Sequence, residues 1–254
     1  MLRDRIMKGE VVLGTMISEF TSPNLLRIFQ MAGYSFVIID GEHGPFNSES
    51  LSAMISMGNA IGLPVIVRVP GIYRGFITRT LDMGAEGFLV PMVNSADEAR
   101  EVVSYTKYTP LGKRGISLTR SHTNYNPPKL DEYMKAANKR TLILAQIETR
   151  EALKNASEIA AVAGIDCLIV GPSDLSSDLG QPGNLKNEEL LSSAVRTAES
   201  AIAAGKRCGT VSGNMEYLSQ CRKAGMNLFC VSSELGMLVK AAKENVKVFY
   251  EKVS

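Results

Sequence analysis

Charged and amide side chains recur at the points where short apolar runs of this 254-residue chain end. Such a run, rich in Val and Ile between polar segments, is typical of a strand buried on both faces of a parallel sheet. A charge that follows it lies at the carboxyl edge of the sheet, where parallel α/β folds hold their catalytic groups. The side chains placed in this way are Asp40, His43, Arg68, Gln146, Glu148 and Asp174.

Glu148 and Asp174 follow two successive apolar runs, at residues 142–145 and 168–170. If those strands are neighbours, the two carboxylates converge with no lysine beside either in sequence. Close like charges raise one pKa or recruit a cation, and oxygen ligands suit Mg²⁺, Mn²⁺ or another divalent ion. The alternative is that each carboxylate caps the helix that follows it, and the spacing alone does not decide between the two.

Asp40 and His43 lie three residues apart, directly after the run at residues 36–39. An imidazole that is oriented by the aspartate is a possible general base, but a single histidine beside glycine is also a common turn residue. Arg68 ends the run at residues 65–67. Its planar fork suits a substrate carboxylate or an enolate oxygen, and a structural salt bridge to Glu42 or Glu148 would explain it equally well.

Eight apolar runs alternate with segments of helical period, without adjacent hairpins. This alternation predicts parallel strands joined by helices, and eight units allow the sheet to close. We therefore predict a single (β/α)8 TIM barrel domain over residues 1–254. The predicted strands cover residues 11–17, 36–39, 64–69, 87–93, 141–147, 167–171, 207–211 and 228–231. The seventh run ends at Val211, in a glycine-flanked stretch where barrels often bind phosphate, and Val211 is included among the predicted substrate-binding residues.

A long segment, about residues 107–140, breaks the alternation of strands and helices. It exceeds the roughly 2–6 residues usual between elements and contains several Gly, Asn and Pro residues. A loop of this length after a barrel strand indicates a functional or assembly surface, with a solvated insertion as the alternative.

Composition excludes several classes of protein. Hydrophobic residues make up 45% of the chain, charged residues 21%, and the formal net charge of +2 gives no sign of a nucleic-acid partner. The amino terminus carries no apolar stretch of signal-peptide length, and no window reaches the roughly 20 apolar residues of a membrane span. The four cysteines show no CxxC spacing and are predicted to be buried thiols of a cytoplasmic protein.

The chain resembles the HpcH/HpaI aldolase and citrate lyase family over about residues 11–234. The resemblance is to its metal-dependent class II branch, the 2-keto-3-deoxy-acid aldolases of the 2,4-dihydroxyhept-2-ene-1,7-dioate type. The matching stretches are Asp40-Gly41-Glu42-His43, Val67-Arg68, Leu81-Asp82-Met83-Gly84-Ala85, Val90-Pro91-Met92-Val93, Gly112-Lys113-Arg114-Gly115, Gln146-Ile147-Glu148-Thr149 and Gly171-Pro172-Ser173-Asp174-Leu175-Ser176. Each is short, and it is their common order that makes the resemblance specific.

The resemblance implies a barrel of the phosphoenolpyruvate/pyruvate type that cleaves a 4-hydroxy-2-keto acid to pyruvate and an aldehyde. It implies that Glu148 and Asp174 bind Mg²⁺, Mn²⁺ or Co²⁺, and that Arg68 steadies the pyruvate enolate oxygen. His43 would carry out acid–base work together with water on the metal.

Further roles follow from the same resemblance. Asp40 and Asp82 would be linked to His43, with Asp82 acting within its own subunit or across a subunit interface. Gln146 and the backbone around Ser173 would line the pyruvate pocket. The family also implies a homo-oligomer, a trimer or hexamer, in which the carboxyl-terminal helix at about residues 235–251 reaches a neighbouring subunit.

The chain departs from the family pattern where the aldehyde half of the substrate would be held. It contains no tryptophan, whereas many relatives place one after the first strand, and residues 44–46 and 119–125 also differ. Other enolate enzymes of the same scaffold therefore remain alternatives: a citramalyl-CoA-type lyase, a decarboxylase or a macrophomate-synthase-like enzyme. A non-catalytic barrel that binds a keto acid is a further alternative.

Overall fold

Eight parallel strands form a closed barrel in the computed structural model, which describes residues 1–253. Each strand pairs with the next one in sequence, and the first also pairs with the eighth. The predicted (β/α)8 barrel is thus confirmed. The strands are β1 (Val12–Ile17), β2 (Phe36–Asp40), β3 (Val65–Arg68), β4 (Gly87–Val90), β5 (Leu142–Ile147), β6 (Cys167–Val170), β7 (Arg207–Val211) and β8 (Leu228–Ser233).

Helices connect the strands and surround the barrel. They are α1 (Leu2–Met7), α2 (Leu25–Met31), α3 (Ser48–Ile61), α4 (Arg74–Asp82), α5 (Ala96–Thr106), α6 (Leu130–Arg140), α7 (Arg150–Lys154), α8 (Ala156–Ala161), α9 (Pro172–Asp178), α10 (Glu188–Ala203), α11 (Met215–Lys223) and α12 (Glu234–Val253). No helix within residues 1–253 combines the length and the apolar character that a membrane crossing requires.

Alternate side chains of each strand enter two separate apolar cores, as the two-residue repeat of a strand dictates. In β2, Phe36 and Ile38 belong to the core inside the barrel, whereas Val37 and Ile39 pack against the surrounding helices. Gly14 of β1 makes room for this filling, because a Cβ there would lie 2.3 Å from the ring of Phe36. The barrel is therefore packed along its length, and only the ends of the strands are free for chemistry.

The short helix α1 closes the amino-terminal end of the barrel. Leu2 and Ile6 are buried in the interior core, and Arg3 pairs with Asp166, directly before β6, at 2.8 Å. Asn227, directly before β8, donates a hydrogen bond to the carbonyl of Ile6 at 2.9 Å. The sequence did not predict α1, because a six-residue helix of mixed charge is stabilised only by tertiary contacts such as these.

The segment predicted as a long loop, residues 107–140, ends in the helix α6. Acidic side chains in its first turn and basic ones in its last favour this helix through the helix dipole. Lys107 Nζ donates to the carbonyls of Asn138 and Thr141 at 2.8 and 2.6 Å. The side chain of Asn138 exchanges hydrogen bonds with the backbone of Tyr108 at 2.7 and 3.0 Å. The two ends of the segment are therefore fastened together.

Two further differences from the predicted elements concern the connections after β5 and β6. The alternation predicts one helix in each connection, but the connection after β5 is divided at Asn155 into α7 and α8, and the connection after β6 begins with an additional helix, α9. All four cysteines are buried and unpaired, as predicted.

Candidate active site

Arg68 is held in a bidentate ion pair with Asp40 at the carboxyl ends of β2 and β3. The strand register places the two residues opposite each other. Arg68 Nε donates to Asp40 Oδ1 at 2.9 Å and Nη2 donates to Oδ2 at 2.6 Å, while Nη1 lies 3.2 Å from Glu42 Oε2. Three of the five guanidinium donors are thus directed at carboxylates, which fixes the plane of the guanidinium group and leaves donors for a ligand.

Asp40 is ionised in this arrangement although it is only 3% exposed. Burial raises the pKa of its carboxyl, but the hydrogen bond and the charge of Arg68, together with the backbone N–H groups of His43 and Glu42, lower it below its usual value. The carboxylate accepts from the backbone N–H of His43 at 3.2 Å. Asp40 therefore reaches His43 through the backbone, and its carboxylate is occupied by Arg68 rather than by the imidazole.

The imidazole of His43 is exposed at the barrel mouth. Its side chain is 71% exposed, and its nearest carboxylate is Glu42 Oε2, 3.8 Å from Nε2. This exposure leaves the ring accessible to a substrate proton or to a group from another subunit.

Glu148 is a buried carboxylate, 3% exposed, directly after β5. Its Oε1 accepts from the backbone N–H of Met92 at 2.7 Å, and its Oε2 accepts from Gln146 Nε2 at 2.5 Å. Its pKa is raised to about 7, chiefly by burial and also by the charges of Asp174 and Glu42, while the Met92 hydrogen bond and the charge of Arg68 act in the opposite direction. The site thus holds a carboxylate that is costly to ionise without a cation.

The residues around Glu148 fit a divalent cation. Glu148 and Asp174 offer carboxylate oxygens, and the buried Oε1 of Gln146 accepts no hydrogen bond from any residue within 1–253. The described residues contain no group of three or more His, Cys, Asp or Glu side chains arranged as metal ligands. A hard cation that keeps water or substrate oxygens in its shell needs no more than two protein carboxylates.

Gly171 keeps this region open. A Cβ at this position would lie 2.6 Å both from Glu148 Oε2 and from Gln146 Nε2. Any larger residue would displace the side chains of Glu148 and Gln146.

Met92 is a functional position that sequence reasoning missed. Its backbone is left-handed, with φ of 54°, which costs a non-glycine residue about 1–2 kcal/mol. This conformation directs its N–H at Glu148. The residue type gives no signal of such a role, although Met92 lies within one of the stretches that resemble the family.

Two adjoining cavities lie at the barrel mouth. One, of about 360 Å³, is lined by Arg68, Gln146, Ser173 and Val211 among others, and the second, of about 420 Å³, is lined by Glu148 and others. His43 and Asp174 line both. The predicted site residues other than Asp82 therefore gather around this opening, with Asp40 behind Arg68.

Asp82 lies apart from this opening. It ends α4 and lines a separate cavity of about 380 Å³ that shares no lining residue with the cavities at the mouth. Its carboxylate accepts from Arg114 at 2.7 Å, and its carbonyl lies 3.0 Å from Nδ1 of the buried His122. Within one chain, Asp82 therefore does not join His43.

Known proteins share both the sequence pattern and the barrel. Residues 15–241 match the family model described as HpcH/HpaI aldolase/citrate lyase. The chain belongs to this family. A 2-keto-3-deoxy-L-rhamnonate aldolase from a strain of Escherichia coli is 34% identical over 248 residues, which cover 97% of this chain and 92% of the relative.

Solved structures agree with this fold. A crystal structure of an HpcH/HpaI aldolase from Desulfitobacterium hafniense superposes with a TM-score of 0.94 at 31% identity, covering 98% of this chain and 96% of the other. The citrate synthase SbnG superposes with a TM-score of 0.90 at 27% identity, covering 99% and 98%. The predicted family is confirmed and, with it, the class of enzyme: this HpcH/HpaI protein is a carbon–carbon lyase of the aldolase type.

The raised pKa of Glu148 predicts how the stability of this HpcH/HpaI protein depends on pH without metal. Between the usual 4.5 and about 7, the folded state holds a proton that the unfolded chain releases. This contribution to stability is fully present below about pH 4.5 and is lost as the pH rises through about 7. The difference is worth up to about 3 kcal/mol.

Glu148→Gln is uncharged at every pH and isolates this effect. In EDTA, its free energy of unfolding by urea is expected to exceed that of the wild type by a margin that widens from pH 5 to pH 8. A margin that stays constant over this range would contradict the raised pKa.

Proposed function

We propose that the protein is a divalent-metal-dependent aldolase that cleaves a 4-hydroxy-2-keto acid to pyruvate and an aldehyde. The observation that carries the proposal is the buried carboxylate of Glu148, with its raised pKa, beside Asp174 and close to Arg68. The aldolases among the relatives, one of them named for a 2-keto-3-deoxy sugar acid, support the same reaction.

Glu148 and Asp174 would hold the cation, and Mg²⁺, Mn²⁺ and Co²⁺ are the candidates. When bound there, a divalent ion would act as a Lewis acid on the carbonyl of the keto acid and so favour cleavage of the adjacent bond. Retro-aldol cleavage leaves negative charge on that oxygen only as the enolate develops, so groups aimed at it favour the transition state over the ground state.

Arg68 supplies such a group. Its guanidinium is held by Asp40 and Glu42, and its remaining N–H groups can donate hydrogen bonds to the developing enolate oxygen. Because the side chain is fixed before substrate binds, little reorganisation accompanies the charge that develops in the reaction.

The keto acid would bind in the cavity of about 360 Å³. Gln146 and Ser173 offer polar atoms there, with the backbone at Ser173 receiving the pyruvate carboxylate. Val211, half-buried on the cavity wall, would pack against the pyruvate methyl group.

His43 would act as the base that removes the proton of the 4-hydroxyl group during cleavage. Its exposed ring lines both cavities, so it can reach the hydroxyl group on the carbon next to the pyruvate half of the substrate. Asp40 positions the backbone of His43, and Asp82 would orient the imidazole from a neighbouring subunit, since it does not reach His43 within one chain.

Pyruvate release tests the proposed reaction. A panel of 4-hydroxy-2-keto acids is incubated with the enzyme, and pyruvate is measured by coupling to lactate dehydrogenase, with and without EDTA. We expect release from at least one panel member, its loss in EDTA and its recovery on addition of excess Mg²⁺, Mn²⁺ or Co²⁺. Release that persists in metal-free protein would contradict the proposal.

A second candidate is an enolate enzyme that forms a carbon–carbon bond. This candidate is favoured by one of the structural neighbours, SbnG, which is named a citrate synthase and not an aldolase and which covers 99% of this chain. Such an enzyme would use the same cation and arginine but a different electrophile. It would form an enolate from its keto acid and release no pyruvate from the panel.

We also propose that the protein is a cytoplasmic homo-oligomer, a trimer or hexamer, whose α12 packs on a neighbouring subunit. Between 39% and 58% of each of the apolar side chains Leu235, Leu238, Val239, Val246 and Phe249 is exposed. They form one helical stripe that does not cover its own barrel. The four unpaired thiols support a reducing compartment.

Complementation between subunits tests the proposed role of Asp82. His43→Ala and Asp82→Asn are each expected to be nearly inactive, and mixing them with subunit exchange should restore part of the activity, because some sites then combine intact residues. Asp82→Asn is chosen because its amide oxygen can still accept from the buried Arg114. A monomer by light scattering would contradict the interface, and failure to complement in a confirmed oligomer would contradict the role of Asp82.

A further inference from the structure

The chain itself fixes both oxygens of Glu148. Oε1 accepts from the backbone of Met92, in the loop that follows β4, and Oε2 accepts from Gln146 near the end of β5. The first of these contacts joins two neighbouring strand ends and depends on the left-handed backbone of Met92. An unfavourable conformation of this kind persists only where the surroundings hold it in place.

Asn94 provides those surroundings. Its Nδ2 donates to the carbonyl of Met92 at 3.0 Å, and its Oδ1 accepts from Thr149 Oγ1 at 2.5 Å. Its backbone N–H donates to Glu98 at 2.6 Å, and its carbonyl accepts from Asn155 at 2.7 Å. Asn94 thus links the loop that carries the Met92 amide to the loop that directly follows Glu148.

We propose that Asn94 is a positioning residue that holds the Met92 amide against Glu148 and thereby sets the affinity of the Glu148 and Asp174 pair for a divalent cation. This inference rests on the proposed function. Asn94 reaches the carboxylate only through Met92 and Thr149, so it touches neither the reacting atoms nor the cation.

The expected consequence is a loss of metal affinity rather than a loss of chemistry. A carboxylate whose oxygens are held by fixed donors presents its remaining lone pairs in one orientation, and loss of such outer partners typically weakens metal binding by about 10–100-fold. Because the substrate contacts are unaffected, kcat at saturating metal is expected to stay within about threefold of the wild type, while the metal concentration for half activation rises.

Asn94→Ala removes both side-chain contacts. Free Mn²⁺ measured by electron paramagnetic resonance gives the affinity without any turnover, and we expect binding about 10–100-fold weaker than in the wild type. Asn138→Ala is the matched control, because the Asn138 side chain also makes two hydrogen bonds, and both of them are to the backbone of Tyr108. It is expected to lose similar thermal stability and to bind Mn²⁺ within about twofold of the wild type.

Variants of Thr149 test the hydrogen bond between Thr149 and Asn94 from the other loop. They keep the proposal testable even if Asn94→Ala does not fold. Thr149→Val removes the donor to Asn94 and is expected to weaken Mn²⁺ binding, whereas Thr149→Ser keeps the hydroxyl and is expected to bind as the wild type does. Wild-type affinity in Asn94→Ala or in Thr149→Val would overturn the role of Asn94 and leave the proposed reaction standing. A wild-type protein that binds no Mn²⁺ would overturn both proposals.

Discussion

Asp174→Ala is expected to abolish divalent-ion binding and pyruvate release together while the barrel stays folded. Asp174 is exposed at the barrel mouth and lines both cavities, so its removal leaves no buried group without a partner. Glu148 alone would remain as a carboxylate ligand, and one carboxylate is too weak a cage for a cation that dehydrates reluctantly. Circular dichroism checks the fold, and Mn²⁺ titration checks the binding.

Asp178→Asn serves as the matched control for Asp174→Ala. Asp178 lines the same cavity of about 420 Å³, but its carboxylate accepts from the backbone N–H of Arg150 at 2.6 Å, and an amide oxygen can replace it there. We expect this control to bind Mn²⁺ within a few-fold of the wild type. Full activity of Asp174→Ala, or equal loss in both variants, would contradict the assignment of Asp174 as a ligand.

Arg68→Ala is expected to lower kcat by on the order of a hundredfold or more, because removal of a donor aimed at a developing oxyanion has effects of that size. KM should change far less. The variant also leaves the buried carboxylate of Asp40 without its ion pair, so its folding must be verified before kinetics are interpreted.

Arg68→Lys separates the two consequences. A lysine keeps one positive charge near Asp40 but cannot form the two-pronged contact that fixes the guanidinium plane. We expect stability close to that of the wild type together with a large loss of kcat. If either variant changes only KM, then Arg68 binds the substrate carboxylate and does not act on the enolate.

Most of the barrel was predictable because each strand has a recognisable pattern in its own short stretch of sequence. The runs at residues 36–39 and 167–170, for example, are short, apolar and rich in β-branched residues, and the polar residues that follow them mark the edge of the sheet. Helices α1 and α6 were missed for opposite reasons. The first is too short to have a signal of its own, whereas the second lies behind a stretch rich in glycine and proline that resembles a loop throughout.

The sequence predicted which residues form the candidate site, but not all of the contacts between them. The sequence places Asp40 near both His43 and Arg68, and only the register of β2 against β3 decides that the carboxylate pairs with the arginine. The Met92 amide could not be foreseen, since a backbone donor carries no side-chain signature and its direction depends on a left-handed turn. The distance of Asp82 from the mouth likewise follows from its position at the end of α4.

Exchange of the pyruvate methyl protons with solvent tests the central claim most directly. The experiment uses pyruvate alone, so the identity of the aldehyde need not be known. Pyruvate is incubated with the protein in D₂O, and loss of its methyl signal is followed by proton NMR. We predict exchange that requires a divalent cation, stops on addition of EDTA and falls by about a hundredfold or more in Arg68→Ala. No exchange at saturating Mg²⁺, Mn²⁺ and Co²⁺, or exchange that continues unchanged in EDTA, would contradict a metal-stabilised pyruvate enolate.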